Sequence, residues 1–335
     1  MPSVDPAALL DRDEITARLK RTFSSPSYTP PLLPAAAAEI LELAQKPKVT
    51  FEQVAPVLES DPILAARVVS VAQSAVYSPR SPIHTLHQAA VRLGVNGVRD
   101  LVLEAALDMR VFRAKGHDAA MARLARHSRA AAHVVRKVCL RTRVEAEHAF
   151  LCGLLHDVGF AACTLSLSQD RELGRTPFEA LAPAIDEVHP DASALLARAW
   201  GLDPSIEELV RTHHEVLVRG KPEPLNAALI VAEHLSWEAG AGLEPPPPSA
   251  DPLSMVMHEP PLEGIDVNWT GLVEEARSAL AMDPLVLCAL RVEAFEVVRA
   301  ANGDGASPAR AAPPGKPRGT GNPTGSPGPS HRSTA

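Results

Sequence analysis

Aromatic residues are scarce in this sequence: phenylalanine, tryptophan and tyrosine together make up 4% of 335 residues. Strands favour aromatic and β-branched residues, and no alternation of apolar and polar residues is long enough to indicate a sheet. Hydrophobic residues nevertheless make up 46% of the chain, and alanine, the strongest helix former, is abundant. The composition therefore argues against a β-sandwich and predicts an all-α protein.

Cysteine, positive charge and long apolar runs are also scarce. The four cysteines show no CxxC spacing, and Cys139, Cys152 and Cys163 lie in apolar runs, which is typical of reduced core thiols in a cytosolic protein. The formal charge of −7 argues against binding to nucleic acid. The N-terminus lacks the apolar segment of a signal peptide, and no apolar run predicts a membrane span. We therefore expect a cytoplasmic protein with no membrane partner.

Proline, glycine and capping residues divide the chain into short helices. Thr50 and Gln53 have the spacing of a capping box, and Asp61-Pro62 and Asp203-Pro204 each predict an N-cap followed by proline in the first turn. The stretch "VEAEHAFLCGLLHDVGF" predicts one helix that breaks near Gly159. The predicted segments are an N-terminal segment and linker at 1–30, a first helical half at 31–115, a second helical half at 116–240, a Pro-rich linker at 241–267, a C-terminal helical segment at 268–302 and a disordered tail at 303–335.

The histidines of the second half come in a distinctive order. His127 is followed by the doublet His156-Asp157, and then by His189, by His213-His214 and by Glu233-His234. Imidazole and carboxylate groups are the usual ligands of zinc, iron, manganese and nickel, and helical bundles supply such ligands from facing helices. The doublet lies inside an otherwise apolar stretch, where an unpaired aspartate would be costly. The order as a whole therefore indicates a metal site.

Each member of this series also has a simpler interpretation. His127 alone is more often a satisfied core residue than a ligand, and His156-Asp157 alone is equally consistent with a hydrogen-bonded structural couple. His213-His214 would suit the C-terminal end of a helix dipole, and Glu233 would suit the surface. The remaining histidines are interpreted as structural or solvated: His84, His87, His117, His133, His148 and His258.

Several motifs together resemble the HD superfamily of helical metal-dependent phosphohydrolases. They are "ARHSRAA", "FLCGLLHDVGF", "HPDASALLARAWGL", "VRTHHE" and "VAEHL". The preceding "LLPAAAAEILELAQ" and "VTFEQVAPVLESDPILAARVVSVAQSAVYS" narrow the resemblance to the HDOD domain, an HD-related output domain of bacterial signalling proteins, over roughly residues 31–240. The resemblance implies an all-α bundle in a bacterial regulator. It does not by itself imply an enzyme.

The resemblance also implies roles for individual residues. Its implied metal ligands are His127, His156, Asp157, His189, His213, His214 and Glu233, holding one or two ions of iron, manganese, zinc or nickel. Glu233 falls where the two-metal HD-GYP relatives have an aspartate. Those relatives also carry a phosphate-binding lysine where this chain has Phe160, and their GYP element is absent after "HHE". Gln73 replaces the asparagine that is common in the HDOD pattern.

Two functions from different classes follow. The first, which the missing lysine and GYP element favour, is a regulatory module that contacts signalling proteins or senses a nucleotide. The second is a metal-dependent phosphohydrolase acting on a cyclic nucleotide, a cyclic dinucleotide or a phosphate ester, in which Asp157 would be the catalytic residue that orients a metal-bound hydroxide. Arg211 and Lys221 are candidate replacements for the lost lysine, although nothing in the sequence places either residue in the site.

Overall fold

The protein is described here by a computed structural model, which covers residues 11–46, 48–74, 76–77, 83–145, 147–243 and 267–301, with only the backbone described at 267–269. The prediction of an all-α protein is confirmed, because the regular secondary structure of the described residues is helical apart from a two-strand hairpin. The helices are α1 (Arg12–Ser24), α2 (Ala35–Ala44), α3 (Phe51–Glu59), α4 (Pro62–Ala72), α5 (Leu86–Arg110), α6 (Asp118–Thr142), α7 (Ala149–Leu155), α8 (Val158–Ser168), α9 (Phe178–Ala199), α10 (Pro204–Arg211), α11 (Pro224–Ser236), α12 (Val267–Ala279) and α13 (Pro284–Ala301). Strands β1 (Leu217–Val218) and β2 (Lys221–Pro222) pair antiparallel between α10 and α11.

Helices α2 to α5 form the first half, with α2, α3 and α4 all packed on α5. The predicted caps are present: the Thr50 amide donates to the Gln53 side chain at 3.0 Å, and Asp61 accepts from the amides of Ile63 and Leu64. Helix α5 changes direction at Gly94, whose φ of 72° lies outside the helical region. The local sequence therefore determines where these helices begin.

Helices α6 to α11 form the second half. Helix α6 packs on α7 and α11, α8 packs on α9, and α10 packs on α9. Asp203 caps α10 as predicted, accepting from the Ser205 amide at 2.8 Å. Helix α9 runs unbroken through Pro183 and Pro190.

The predicted break near Gly159 is wrong. Helix α7 ends at Leu155 and α8 begins at Val158, so the chain breaks at the doublet itself, and Gly159 lies inside α8. The break turns Asp157 out of the helical path, with φ −100° and ψ 7°. The doublet is therefore placed at a corner between two buried helices.

The terminal helices pack on the second half. Helix α1 lies against α9 and buries Ile15 and Leu19, while α12 packs on α11, and α13 packs on α6 and α11. The predicted tail, and all but the ends of the predicted Pro-rich linker, lie outside the described residues.

Among the described residues, one stretch is long and apolar enough to cross a membrane by length and composition alone, contrary to the expectation that none exists. It is Ala149–Ser168, and 89% of its most apolar window is buried inside the protein. Its apolar character therefore reflects a position in the core, as in a core helix of a soluble protein.

Burial also raises the pKa of the free thiols Cys139, Cys152 and Cys163, in keeping with the prediction of reduced core cysteines.

Candidate metal centre

The carboxylate of Asp157 lies between two pairs of histidines. Its Oδ2 atom is 3.3 Å from Nε2 of His127 and 3.4 Å from Nε2 of His156. Its Oδ1 atom is 3.3 Å from Nε2 of His189 and 3.6 Å from Nε2 of His213. Asp157 therefore joins side chains from α6, from α9 and from the loop after α10.

The potential ligands form two clusters. The first cluster is His127, His156 and Asp157, and the second cluster is His189, His213 and His214; within each, the ligand atoms lie within 4.8 Å of one another. His156, His189 and His213 are fully buried, and His214 is partly buried. Glu233 on α11 places Oε1 3.7 Å from Nε2 of His156, beside the first cluster. The fold thus brings together every residue that the sequence predicted as a metal ligand.

Backbone carbonyls fix the orientation of the central imidazoles. A carbonyl oxygen only accepts hydrogen bonds, so each Nδ1 atom that contacts one carries the proton, and Nε2 keeps a lone pair directed at Asp157. Orientation of a ligating histidine through its other ring nitrogen is the usual arrangement in metal sites. The four bonds run from His127 to Ala241 at 3.0 Å, from His156 to Gly153 at 2.9 Å, from His189 to Asp186 at 2.6 Å and from His213 to Val210 at 2.7 Å.

This donor set fits a divalent cation. Nε2 of His127 lies 3.1 Å from Nε2 of His156, and Nε2 of His189 lies 3.2 Å from Nε2 of His213. Two lone pairs at that distance repel unless a positive charge lies between them. The buried Oε1 atom of Glu233 also has no hydrogen-bond partner, and a metal ion would satisfy it. The residues present therefore match imidazole and carboxylate coordination.

The electrostatics of the centre keep its ligands in metal-binding forms. Burial raises the pKa of Asp157, but its interactions with His156, His127 and His189 outweigh burial when those rings carry a proton on Nε2, so the net pKa lies well below the ordinary value. In rings protonated only at Nδ1, a cation held at the Nε2 atoms would stabilise the ionised aspartate in place of those protons. Burial lowers the pKa of His213 to about 4 and that of His214 to about 2. An ionised aspartate beside neutral imidazoles is the state that binds a cation.

Glu233 behaves differently from Asp157. Burial, followed by the charge of Asp157, raises its pKa well above the ordinary value. Glu233 is 7% exposed, so the interpretation of this residue as a surface carboxylate is wrong. A nearby cation would reverse the effect of Asp157 on this carboxyl.

Two glycines let the helices approach closely enough to form the centre. A Cβ atom on Gly153 would lie 2.6 Å from Cα of Ala132 on α6, and a Cβ atom on Gly159 would lie 2.1 Å from the carbonyl oxygen of His189 on α9. Any larger side chain would therefore separate α7 from α6, or α8 from α9. These contacts set the distances between the histidines on neighbouring helices.

Sequence reasoning missed two residues that support the ligands. Ser193 donates to the carbonyl of His156 at 2.6 Å and accepts from the amide of Gly159 at 2.8 Å, which ties α9 to the corner at the doublet. The buried side chain of Asn226 donates to the carbonyls of Thr212 and Glu215 and holds the loop that carries His213-His214. The spacing of Ser193, one helical turn after His189, could have indicated its role; Asn226 carries no such signal.

Phe160 places an aromatic ring at the position where the HD-GYP relatives carry a phosphate-binding lysine. Phe160 is buried, and its ring centroid lies 4.4 Å from that of His189. Arg211, a candidate replacement, instead contacts Glu207 at 2.8 Å and Asp191 at 3.5 Å, and Lys221 lies exposed in β2. Within the part of the chain that the structure describes, no lysine or arginine forms an ion pair with Asp157 or Glu233.

The histidines interpreted as structural or solvated lie outside both clusters where they are described. His133 is buried between the rings of Tyr77 and Phe150, with centroid distances of 4.9 and 5.2 Å, and burial lowers its pKa to about 3. His258 lies outside the described residues.

Comparison with known proteins identifies the family. The sequence-family model of the HDOD domain matches residues 31–216, which is more than half of the chain. The chain belongs to the HDOD family. No curated protein matches it.

Solved structures with the same fold include one named as an HDOD domain protein. An HDOD domain protein of unknown function from Geobacter sulfurreducens is 22% identical, with a TM-score of 0.59 over 87% of this chain and 98% of the other. A Shewanella amazonensis protein named as a candidate metal-dependent phosphohydrolase is 17% identical, with a TM-score of 0.59 over 87% and 98%. A candidate signal-transduction protein from Marinobacter aquaeolei is 20% identical, with a TM-score of 0.59 over 91% and 67%. At these identities the likeness establishes the HDOD fold.

Proposed function

We propose that this HDOD protein is a bacterial, cytoplasmic signal-transduction module whose buried centre holds divalent metal. His127, His156, Asp157 and Glu233 would hold one ion, and His189, His213 and His214 would hold a second beside Asp157. The module acts by contacting signalling proteins or by sensing a nucleotide. The structural relative named for signal transduction agrees with this role.

One observation carries the choice of a regulatory role over hydrolysis: the ring of Phe160 packs 4.4 Å from that of His189. A lysine at this position would bind a substrate phosphate as a point charge, and an apolar ring cannot bind one in this way. The central ligands are also almost completely buried, whereas a catalytic metal keeps a coordination position open to water and substrate. The metal would therefore act on the shape and stability of the helical bundle.

A second candidate function is favoured by Asp157, whose two oxygens face different clusters. A carboxylate in this position suits a two-metal phosphohydrolase, the class for which another structural relative is named. Bound metal would supply Lewis acidity and a hydroxide nucleophile. Asp157 would orient the nucleophile, and the carbonyl-bonded imidazoles would keep their Nε2 atoms deprotonated.

The test is to express the full chain with added metal, to measure its metal content by elemental analysis, and to assay it with bis-p-nitrophenyl phosphate and with cyclic dinucleotides. We expect bound metal and no turnover above that of Asp157→Ala. Turnover that Asp157→Ala abolishes would replace the regulatory role with the hydrolase. A wild-type chain without metal would contradict both functions.

A further inference from the structure

The carbonyl of Ala241 belongs to a short segment that continues helix α11. Residues Trp237–Ala241 form a π-helical turn, called here the π turn, and Gly240 within it has a φ of 87°. The Ala241 carbonyl accepts from Nδ1 of His127 at 3.0 Å. The π turn therefore fixes which nitrogen of His127 faces the first cluster, although it contributes no ligand of its own.

The π turn is fastened to helix α13 by a buried ion pair. Arg291 donates from Nε to Oε2 of Glu238 at 3.0 Å and from Nη2 to Oε1 at 3.1 Å. His234 on α11 contacts the same carboxylate at 3.1 Å. Glu238 is 1% exposed and Arg291 is 6% exposed, so this two-bond contact is shielded from water. A planar guanidinium–carboxylate pair joined by two hydrogen bonds fixes the relative orientation of the two side chains as well as their distance.

Apolar packing holds Ala241 at the same place. Its side chain forms a small buried cluster with Ala130 on α6 and Val298 on α13. Ala130 lies one helical turn after His127, and Val298 lies two turns after Arg291 on α13. Helix α13 therefore contacts the π turn twice. Arg291 pairs with the carboxylate of Glu238 near the start of the turn, and Val298 packs on the methyl group of Ala241 at its end.

We infer that Arg291 is a positioning residue for the metal centre: through Glu238 it holds the π turn so that the Ala241 carbonyl keeps His127 in its metal-binding tautomer. This inference rests on the proposed metal site. It makes helix α13, which lies outside the matched HDOD region, a structural control over the affinity of the first cluster. The second cluster has no contact with the π turn among the described hydrogen bonds.

A cobalt titration of the full chain tests the inference. Metal-free wild type, Arg291→Met and the double variant Glu238→Leu/Arg291→Met are titrated with Co²⁺, and its visible absorption is followed. The double variant is included because an apolar pair often replaces a buried ion pair without loss of stability. We expect both variants to bind Co²⁺ about 10-fold more weakly at one site, as supporting residues typically do, with the other site unchanged. Arg291→Lys should restore part of the loss.

Arg141→Met is the matched control. Arg141 on α6 pairs with Glu293 on α13 and so fastens the same helix without touching the π turn. We expect this variant to bind Co²⁺ as the wild type does. Equal losses in Arg141→Met and the Arg291 variants would show that α13 acts only by general stabilisation, and unchanged binding in a folded double variant would overturn the inference outright.

A second measurement needs no metal and so separates this inference from the proposed function. In ¹⁵N-histidine NMR spectra of the metal-free chain, His127 is assigned by the loss of its signals in His127→Gln. We expect a protonated Nδ1 in the wild type and in Arg141→Met, and a mixture of tautomers in the double variant. A His127 tautomer that is the same in all three would overturn the inference, whether or not the wild type binds cobalt.

Discussion

The Nε2 atoms of His127 and His156 lie 3.1 Å apart, while the Nδ1 atom of each ring donates to a backbone carbonyl. Both rings therefore direct Nε2 lone pairs into the same space beside Asp157, and these Nε2 atoms lie 3.3 and 3.4 Å from its Oδ2. A cation at that point would turn mutual repulsion into coordination. The stability of this half of the protein should consequently depend on bound metal.

Removal of metal with a chelator should lower the Tm of the wild-type chain, because a ligand that binds only the folded state stabilises it, by about 4 kcal/mol at a free concentration 1,000 times its Kd. Differential scanning calorimetry measures the effect. In Asp157→Asn the chelator should have no effect. The control is Asp191→Asn, which removes a carboxylate that is 73% exposed and paired with Arg211. A Tm that the chelator leaves unchanged in the wild type would count against a metal-dependent core.

Gly159→Ala should destabilise the protein by about 1–3 kcal/mol, the usual cost of overpacking. The added Cβ atom would lie 2.1 Å from the carbonyl oxygen of His189 and would push α8 away from α9. Urea unfolding measures the change. Gly271→Ala in α12 is the control, because a Cβ atom there meets nothing within 4 Å, so the substitution should gain up to about 1 kcal/mol of helix propensity. Equal stability of the two variants would refute the close approach of α8 and α9.

Asn226→Leu should weaken the second cluster selectively, because it removes the side-chain donor to the Glu215 carbonyl and one of the two donors to the Thr212 carbonyl, which keeps the Glu215 amide. A buried group that loses its partner costs about 1–3 kcal/mol. Urea unfolding and cobalt titration together should show lower stability and weaker binding at one site. Gln45→Leu is the control: it removes a hydrogen bond that the Gln45 side-chain amide donates to the Gly201 carbonyl at the surface, and it should leave both sites intact. Full affinity in Asn226→Leu would show that the loop holds its shape without this anchor.

Glu104 should make stability depend on pH. Burial, partly offset by Arg129 and by the Tyr77 hydroxyl, raises its pKa from 4.5 to about 7. The contribution of the protonated Glu104 carboxyl to the free energy of unfolding is therefore complete below pH 4.5. It is lost as the pH rises through about 7, because the buried carboxyl must then ionise.

Urea unfolding of wild type and Glu104→Gln at several pH values tests this sign. Relative to Glu104→Gln, the wild type should lose roughly 3 kcal/mol of stability between acidic and neutral pH, at 1.36 kcal/mol for each unit of pKa shift. The control is Glu59→Gln, at an exposed position: its free energy of unfolding should change with pH as that of the wild type does. Parallel profiles for Glu104→Gln would mean that Glu104 is not buried as described.

Much of this architecture could be predicted because it leaves local patterns. Asp61-Pro62 and Asp203-Pro204 mark the starts of helices α4 and α10 through short-range capping chemistry, which does not depend on the rest of the fold. The histidine order around His156-Asp157 predicted the members of the centre, because charged and imidazole groups are rarely placed in apolar helices without partners.

The remainder depends on contacts between distant parts of the chain. The helix breaks at Asp157 rather than near Gly159, and Gly159 lies inside α8 where that helix approaches α9. The local sequence around Gly159 does not reveal this contact with a distant helix. The Ala241 carbonyl is a backbone group, so no side-chain pattern marks it as the partner of His127. Glu233 looked compatible with the surface because a single carboxylate does not reveal which face of α11 is buried.

Metal stoichiometry decides whether Asp157 joins two metal sites, as we propose. Elemental analysis would be carried out on the full-length wild type, on His127→Gln in the first cluster, on His214→Gln in the second, and on Asp157→Asn. We expect about two ions per chain in the wild type, about one in each histidine variant, and a loss at both sites in Asp157→Asn. Only trace metal in a folded wild-type chain prepared with excess metal, or a content that Asp157→Asn leaves unchanged, would contradict it.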